Sequence, residues 1–263
     1  MMQKFIVIIV VIISSLFFVS WNEPLKKTNQ EFYQLTVYHY STARQETMLD
    51  NYLKNALLPS LHRNGINQAG VFKAITNDTA ALKLMYVLVP IKSLDMLTKL
   101  QEKLAADDEY QAAGTEYINT GYKDPAYDRM ETILLKAFPL APKMQAPQLK
   151  AEKKDRVYEL RSYEGASEKI FKNKVHMFNE GDEIAIFKRL NFNPVFYSEV
   201  VSGSKMPNLM YMTSFESMDD RNAHWKAFGS DSAWVRLKSM PLYQNNVSHI
   251  DITFLHGVEY SDF

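Results

Sequence analysis

The 263-residue sequence predicts an α+β fold made of two ferredoxin-like βαββαβ units. Three observations predict it. The order of strand-like and helix-like segments runs through the chain twice, the two copies open on similar wording, and a proline- and lysine-rich stretch separates them. The openings are Phe32-Tyr33-Gln34-Leu35-Thr36-Val37-Tyr38 and Val157-Tyr158-Glu159-Leu160-Arg161-Ser162-Tyr163. Both alternate as strands do, with Tyr, Leu and Tyr in matching places.

Each opening strand leads into a segment of helical period. In the first copy Met48, Leu49, Tyr52, Leu53, Ala56 and Leu57 share one face, and Gly65 is a natural stop. In the second, Ile170, Phe171, Val175, Phe178, Ile184 and Phe187 recur less regularly, with Gly181 as a weak point. Two strands follow in each copy, over residues 69–75 and 82–89, then over 195–201 and 209–215. Ser93 with Asp95, and Ser217 with Asp219, are helix N-terminus patterns, a hydroxyl cap followed by an acid. Closing strands are expected over 130–138 and 247–254. The order βαββαβ, met twice, is the split βαβ arrangement. Residues 120–128 read as a loop before the first closing strand, and residues 139–155 as a linker over the surface. The organisation is thus a leader over 1–30, a first unit over 31–138, the linker, and a second unit over 156–263. One face of each sheet is covered by its own helices, and pairing the two units would cover the other.

Composition narrows the function. Apolar residues are 46% of the chain and include 15 Phe, 15 Tyr and 3 Trp, so a substantial core is assured. Lysine plus arginine equals aspartate plus glutamate at 30 each, which leaves no electrostatic footprint for nucleic acid. The absence of cysteine removes disulfides, thiolate catalysis and cysteine-ligated metals. Lys4, the apolar run Phe5 to Ile13, Ser14, Ser15 and then Leu16 to Val19 have the build of a secretory signal peptide, with Ser20 as the expected cleavage point. The run is shorter than the ~20 residues that span a bilayer, so no permanent anchor is expected. A periplasmic or extracellular location follows.

The wording of the second unit resembles the NIPSNAP family. Its opening strand, Val157 to Tyr163, is similar to that family's. So is the block Met210-Tyr211-Met212-Thr213-Ser214-Phe215-Glu216-Ser217-Met218-Asp219-Asp220-Arg221, followed by Trp225 and by Ser230-Asp231-Ser232-Ala233-Trp234. The first unit matches in outline only, through its strand opening, Leu57-Leu58-Pro59 and Asp107-Asp108-Glu109-Tyr110. Thr36 stands where the second unit has Arg161, and Tyr110 roughly replaces Trp234. The resemblance implies a dimeric α/β-barrel fold. Here both sheets would come from one chain, giving a monomer with a pseudo-dimeric barrel, or else a homodimer.

Alternation also selects candidate site residues. Tyr158 and Leu160 share one strand face, while Glu159, Arg161 and Tyr163 share the other. The apolar face is expected against the helices and the polar trio toward the barrel interior. On the closing strand His249 and Asp251 share a face, and first and last strands of a split βαβ unit are neighbours. Glu159, Arg161, Tyr163, His249 and Asp251 are therefore expected to converge on a ligand site, with His249 as proton acceptor and Arg161 as anion-stabilising group. The competing reading is a structural ion-pair network, since buried charges must be paired.

No HExxH motif and no histidine pair at helical metal spacing occurs, so no metal is expected. No cofactor is expected either. Haem is the exception to weigh, because some barrels of this general type bind it, with His176 and His249 as the axial candidates. Trp225 and Trp234 read as anchors between helix and sheet, or as stacking surfaces for a ligand. Phosphate loops and the GxSxG elbow are absent. Asn77 and Asn246 begin glycosylation sequons. The function that emerges is binding of a small, partly apolar ligand in a barrel cavity. The alternative is a monooxygenase or isomerase-type enzyme using that cavity.

Overall fold

The computed structural model describes residues 29–263, so the expected signal peptide and its cleavage point at Ser20 lie outside the described residues. The first unit runs β1 (Phe32–Tyr40), α1 (Ala43–Tyr52), a π-helical turn (Leu53–Leu57), α2 (Leu58–Arg63), β2 (Gly70–Ala74), β3 (Lys83–Ile91), α3 (Leu94–Ala105), α4 (Asp108–Ala113), α5 (Thr115–Ile118) and β4 (Arg129–Ala137). The second runs β5 (Val157–Glu164), α6 (Glu168–Asn179), α7 (Glu183–Arg189), β6 (Asn193–Ser202), β7 (Asn208–Phe215), α8 (Met218–Ser230), α9 (Ser232–Ser239) and β8 (His249–Gly257). Hydroxyl caps start the helices as the sequence suggests. Ser93 accepts from the Met96 amide, Ser217 from Asp220, and Ser167 from Ile170. Among the described residues no helix is long and apolar enough to cross a membrane.

The eight strands close into one antiparallel barrel in the order β1-β3-β2-β8-β5-β7-β6-β4, with β4 returning to β1. Each unit contributes four consecutive strands, and two seams join the units. At one seam Phe72 to Ala74 of β2 pair with Leu255 to Gly257 of β8; at the other, β4 pairs with β6. Closure within one chain leaves no open sheet edge, so a second copy is not required to complete the sheet.

The barrel interior is apolar. Tyr33 and Leu35 of β1, Leu88 of β3, Tyr158 and Leu160 of β5, and Met212 of β7 belong to one buried cluster fed by all eight strands. Aromatic rings floor one end. Tyr33 and Phe196 centroids lie 5.4 Å apart, Phe72 and Tyr158 4.8 Å, and Phe72 and Phe263 6.0 Å. Gly70 is required by this floor, since a Cβ there would come within 2.5 Å of the Phe72 ring and 2.6 Å of Phe263. Residues 139–155 contain no helix or strand and are mostly exposed, but Met144 drops into the interior cluster, its amide donating to Glu31 over 2.9 Å.

One expectation is reversed. Tyr158 and Leu160 fill the barrel, and it is Glu159, Arg161 and Tyr163 that face the helices. The period of two assigns residues to faces but does not say which face is inside. Here both faces are buried. Around Tyr158 and Leu160 the interior is packed with apolar side chains, whereas helices laid on the outside supply counter-ions to Glu159 and Arg161.

Gly181 marks a break between two helices of the second unit. α6 ends at Asn179, Asp182 takes a positive φ of 66°, and a Cβ on Gly181 would sit 2.5 Å from the Met177 carbonyl oxygen. The turn aims Glu183, at the start of α7, back at Lys174 of α6, 2.8 Å away.

Candidate functional sites on the two sides of the sheet

The second-unit strands divide the expected site residues. Glu159, Arg161 and Tyr163 lie outside the barrel under α6 and α8. His249 and Asp251 lie on the interior face at the barrel mouth, in register with Glu164 and Ser162 of β5. The five residues thus belong to two sites separated by one sheet.

On the outer side, Glu159 is fully buried and is met by five close N–H contacts, four of them hydrogen bonds and one, from Arg161 Nη2, an ion-pair contact. Arg161 donates from Nε over 2.7 Å and Nη2 over 2.6 Å, Arg221 from Nε and Nη2 over 2.8 Å each, and the Trp225 indole over 2.6 Å. Burial alone would push the Glu159 carboxyl up. The two guanidiniums more than offset it and hold the group below its ordinary value. Arg161 also donates to the Tyr163 hydroxyl over 2.9 Å, and its guanidinium carbon lies 3.7 Å from the Trp225 ring centroid. Lys174 pairs with Glu183, and both are buried. Burial pushes the Glu183 carboxyl up, and Lys174 opposes that.

Arg161, Tyr163, Lys174, Glu183 and Trp225 border a cavity of about 380 Å³ between β5, β8 and helices α6, α8 and α9. Arg161, Lys174, Trp225, Trp234, Tyr243 and Asn246 are among its lining. Both tryptophans are only partly buried, so they are walls of a space as well as anchors. Lys174 escaped the sequence reading, although a signal existed: it shares the apolar face of α6 with Phe171 and Phe178. Asn246 is buried and donates to Asn173, while Asn77 is buried and tied to the Leu84 backbone, so neither sequon presents a free side chain.

On the inner side, a cavity of about 350 Å³ opens at the end of the barrel opposite the aromatic floor. Its deep wall is apolar, with Leu35, Val37, Leu160 and Met210, and its rim carries His39, Glu131, Lys205, Asn208 and Asp251. Lys205 forms an ion pair with Asp251, and His249 Nε2 lies 3.1 Å from the same carboxylate. Lys205, then His249, hold the Asp251 carboxyl below its ordinary value. Two buried polar atoms of residues lining this cavity, His39 Nε2 and Asn208 Oδ1, have no hydrogen-bond partner among the described residues. The haem candidates do not come together around either space. His176 is bonded through Nδ1 to the Tyr243 hydroxyl at 2.9 Å, and His249 is exposed at the rim.

With this geometry in hand, comparison with known proteins is informative in part. Residues 158–262 match the NIPSNAP family model, which covers the second unit. No curated protein matches the sequence. In structure, the chain is similar to a monooxygenase-like protein of Fusobacterium nucleatum, with a TM-score of 0.58 and 5% identity over 88% of this chain and 93% of that one. It is also similar to a monooxygenase-like protein of Lactobacillus acidophilus, with a TM-score of 0.53 and 9% identity over 87% and 94%. A NIPSNAP family protein of Agrobacterium tumefaciens covers 44% of this chain and 98% of its own at 19% identity, with a TM-score of 0.37. At such identities the likeness bears on the fold, a dimeric α/β barrel built here from one chain, and not on the chemistry.

Proposed function

We propose that the protein binds a small, flat, partly apolar anion, of the aromatic carboxylate class, in the sheet–helix cavity of its second unit. One observation carries this reading. Arg161, Lys174 and Glu183 line the cavity and are buried, and Arg161 shares the buried Glu159 behind it with the partly exposed Arg221, so the network counts three cations against two anions. A single carboxylate, Glu159, is shared by both guanidiniums, and the one that lines the cavity, Arg161, is buried, where a further anion is favoured. The walls suit the apolar part of such a ligand, because Trp225 and Trp234 offer ring faces and Arg161 already stacks on the former. The likeness to monooxygenase-like proteins concerns fold and adds no reaction to this reading.

The test is calorimetric titration of the full chain with 2-naphthoate, and with the neutral 2-naphthalenemethanol of nearly the same shape. The expected result is saturable binding of the carboxylate, at least tenfold tighter than the alcohol, and its weakening in Arg161→Gln. Trp234→Ala, which leaves the ion network intact, should weaken both ligands. Equal affinity for the two compounds, or an unchanged naphthoate affinity in both variants, would sink the proposal.

A further inference from the structure

At the barrel mouth, three potential metal ligands come from two neighbouring strands. Glu164 ends β5, and His249 and Asp251 begin β8 directly beside it, in registers Glu164↔His249 and Ser162↔Asp251. One ligand atom from each lies within 4.8 Å of the other two. On the opposite flank Asn208 of β7 pairs with Glu164, so Asn208, Glu164 and His249 stand in one row across three strands. Side chains paired directly across antiparallel strands point to the same face, here the interior. Asn208 is 3% exposed, donates through Nδ2 to Ser162 Oγ over 2.9 Å, and leaves its Oδ1 without a partner at the cavity. A buried carboxamide oxygen without a donor is costly, and it points to something absent from the chain itself that would face it.

We infer that this mouth is a binding site for a first-row divalent transition-metal ion, held by Glu164, His249 and Asp251 with the Asn208 carboxamide oxygen beside them. One imidazole with carboxylate and carbonyl oxygens suits Zn²⁺, Mn²⁺ or Fe²⁺, and the nitrogen ligand disfavours Mg²⁺ and Ca²⁺. Lys205 is the cation that neutralises Asp251 in the metal-free arrangement. It stands between β6 and β7, its side chain is half exposed, and it can swing to solvent when an ion takes its place. Among the described residues lining the cavity, Glu131 and Asp251 outweigh this single ammonium, so the rim favours a dication. The apolar wall of Leu35, Val37, Leu160 and Met210 lies below, so an open coordination position would receive an oxygen-donor group carried on an apolar body.

The site is independent of the sheet–helix cavity, and its test separates the two. The full chain, stripped with a chelator, is titrated calorimetrically with ZnCl₂, MnCl₂ and MgCl₂. One zinc or manganese ion per chain is expected to bind, with Mg²⁺ at least tenfold weaker. His249→Ala and Asp251→Asn should each lose tenfold or more, and Lys205→Met should bind more tightly because the competing ammonium is gone. No saturable zinc or manganese binding up to millimolar concentration overturns the inference. So does equal binding of Mg²⁺, or a His249→Ala variant that binds as well as the parent. A Lys205→Met variant that binds no tighter overturns the exchange of ammonium for metal.

Discussion

Replacing Glu159 by Gln gives the most direct test of the charge layer under the helices. The substitution keeps size and one carbonyl acceptor but removes the anion that two guanidiniums and an indole converge on at 2.6 to 2.8 Å. Breaking a buried ion pair from one side costs about 3–5 kcal/mol, because the partner charge is left desolvated. Gln retains part of the hydrogen bonding, and Arg221 keeps some solvent contact, which places the expected loss near the lower end, about 3 kcal/mol. For a chain of this size that is a fall in melting temperature of roughly 6–12 °C. Chemical unfolding in urea at pH 7 measures it. The pH dependence supplies a second reading. Glu159 is held below its ordinary value of 4.5, so its stabilisation is complete above that pH and is lost as pH falls through the depressed folded-state value. The gap between parent and variant should therefore be widest near neutrality and should close in acid. The triple change E159Q/R161T/R221Q removes the network as a unit and imitates Gln34 and Thr36 of the first unit, so it should be less destabilised than E159Q alone. A loss below 1 kcal/mol for E159Q, or a gap that widens toward low pH, would refute the reasoning.

Three further outcomes are expected. Lys174→Met strands the buried Glu183 carboxylate and should cost about 3–5 kcal/mol at neutral pH in urea unfolding, most of it recovered in K174M/E183L. Phe263→Ala removes a ring that is 2% exposed and stacks on Phe72 at the barrel floor, and should lower stability by about 3 kcal/mol in thermal melts. Gly181→Ala drives a methyl into the Met177 carbonyl and should cost about 1–3 kcal/mol, read by the same melts, with weaker naphthoate binding because Glu183 and Lys174 lose their alignment.

The fold was legible because it depends on periodicities that survive divergence. The βαββαβ order, the serine caps at Ser93 and Ser217, and the closing strands all appear where local pattern put them. The site was legible residue by residue but not as a whole. Glu159, Arg161 and Tyr163 do cooperate, as do His249 and Asp251, yet alternation could not reveal that the two groups lie on opposite sides of β5 and its neighbour. That assignment depends on whether the barrel or the helix layer can host charge, a property of the closed sheet. Glu164 and Asn208 were missed for a related reason. Their significance comes from a row across three strands, and residues 164, 208 and 249 share no sequence spacing that would announce it.

The two units differ at the layer between sheet and helices, and the buried charge network belongs to the second. The two sheet–helix layers are pseudo-equivalent, and their strand positions correspond: Gln34 to Glu159, Thr36 to Arg161, Tyr38 to Tyr163. In the first unit the equivalent space is lined by no charged side chain among the described residues, and the Lys73 ion pairs with Glu46 and Asp50 lie elsewhere on the layer. Tyr52 and Tyr117 stack at 3.7 Å, Tyr52 bonds Tyr110 at 2.8 Å, and the space beside Gln34 and Thr36 is about 260 Å³. A tyrosine cluster of this kind satisfies its own hydroxyls and needs no counter-ion. In the second unit Arg161 must be held in place, which takes Glu159, and Glu159 in turn draws Arg221 and the Trp225 indole. Each added charge requires the next, and the sequence of compensations ends one cation in excess beside an aromatic wall. Tyrosine hydrogen bonding would have closed the layer in the second unit as it does in the first. A buried Arg161 that shares its one carboxylate with Arg221 and lines an open space therefore supports the proposed ligand over a purely structural role.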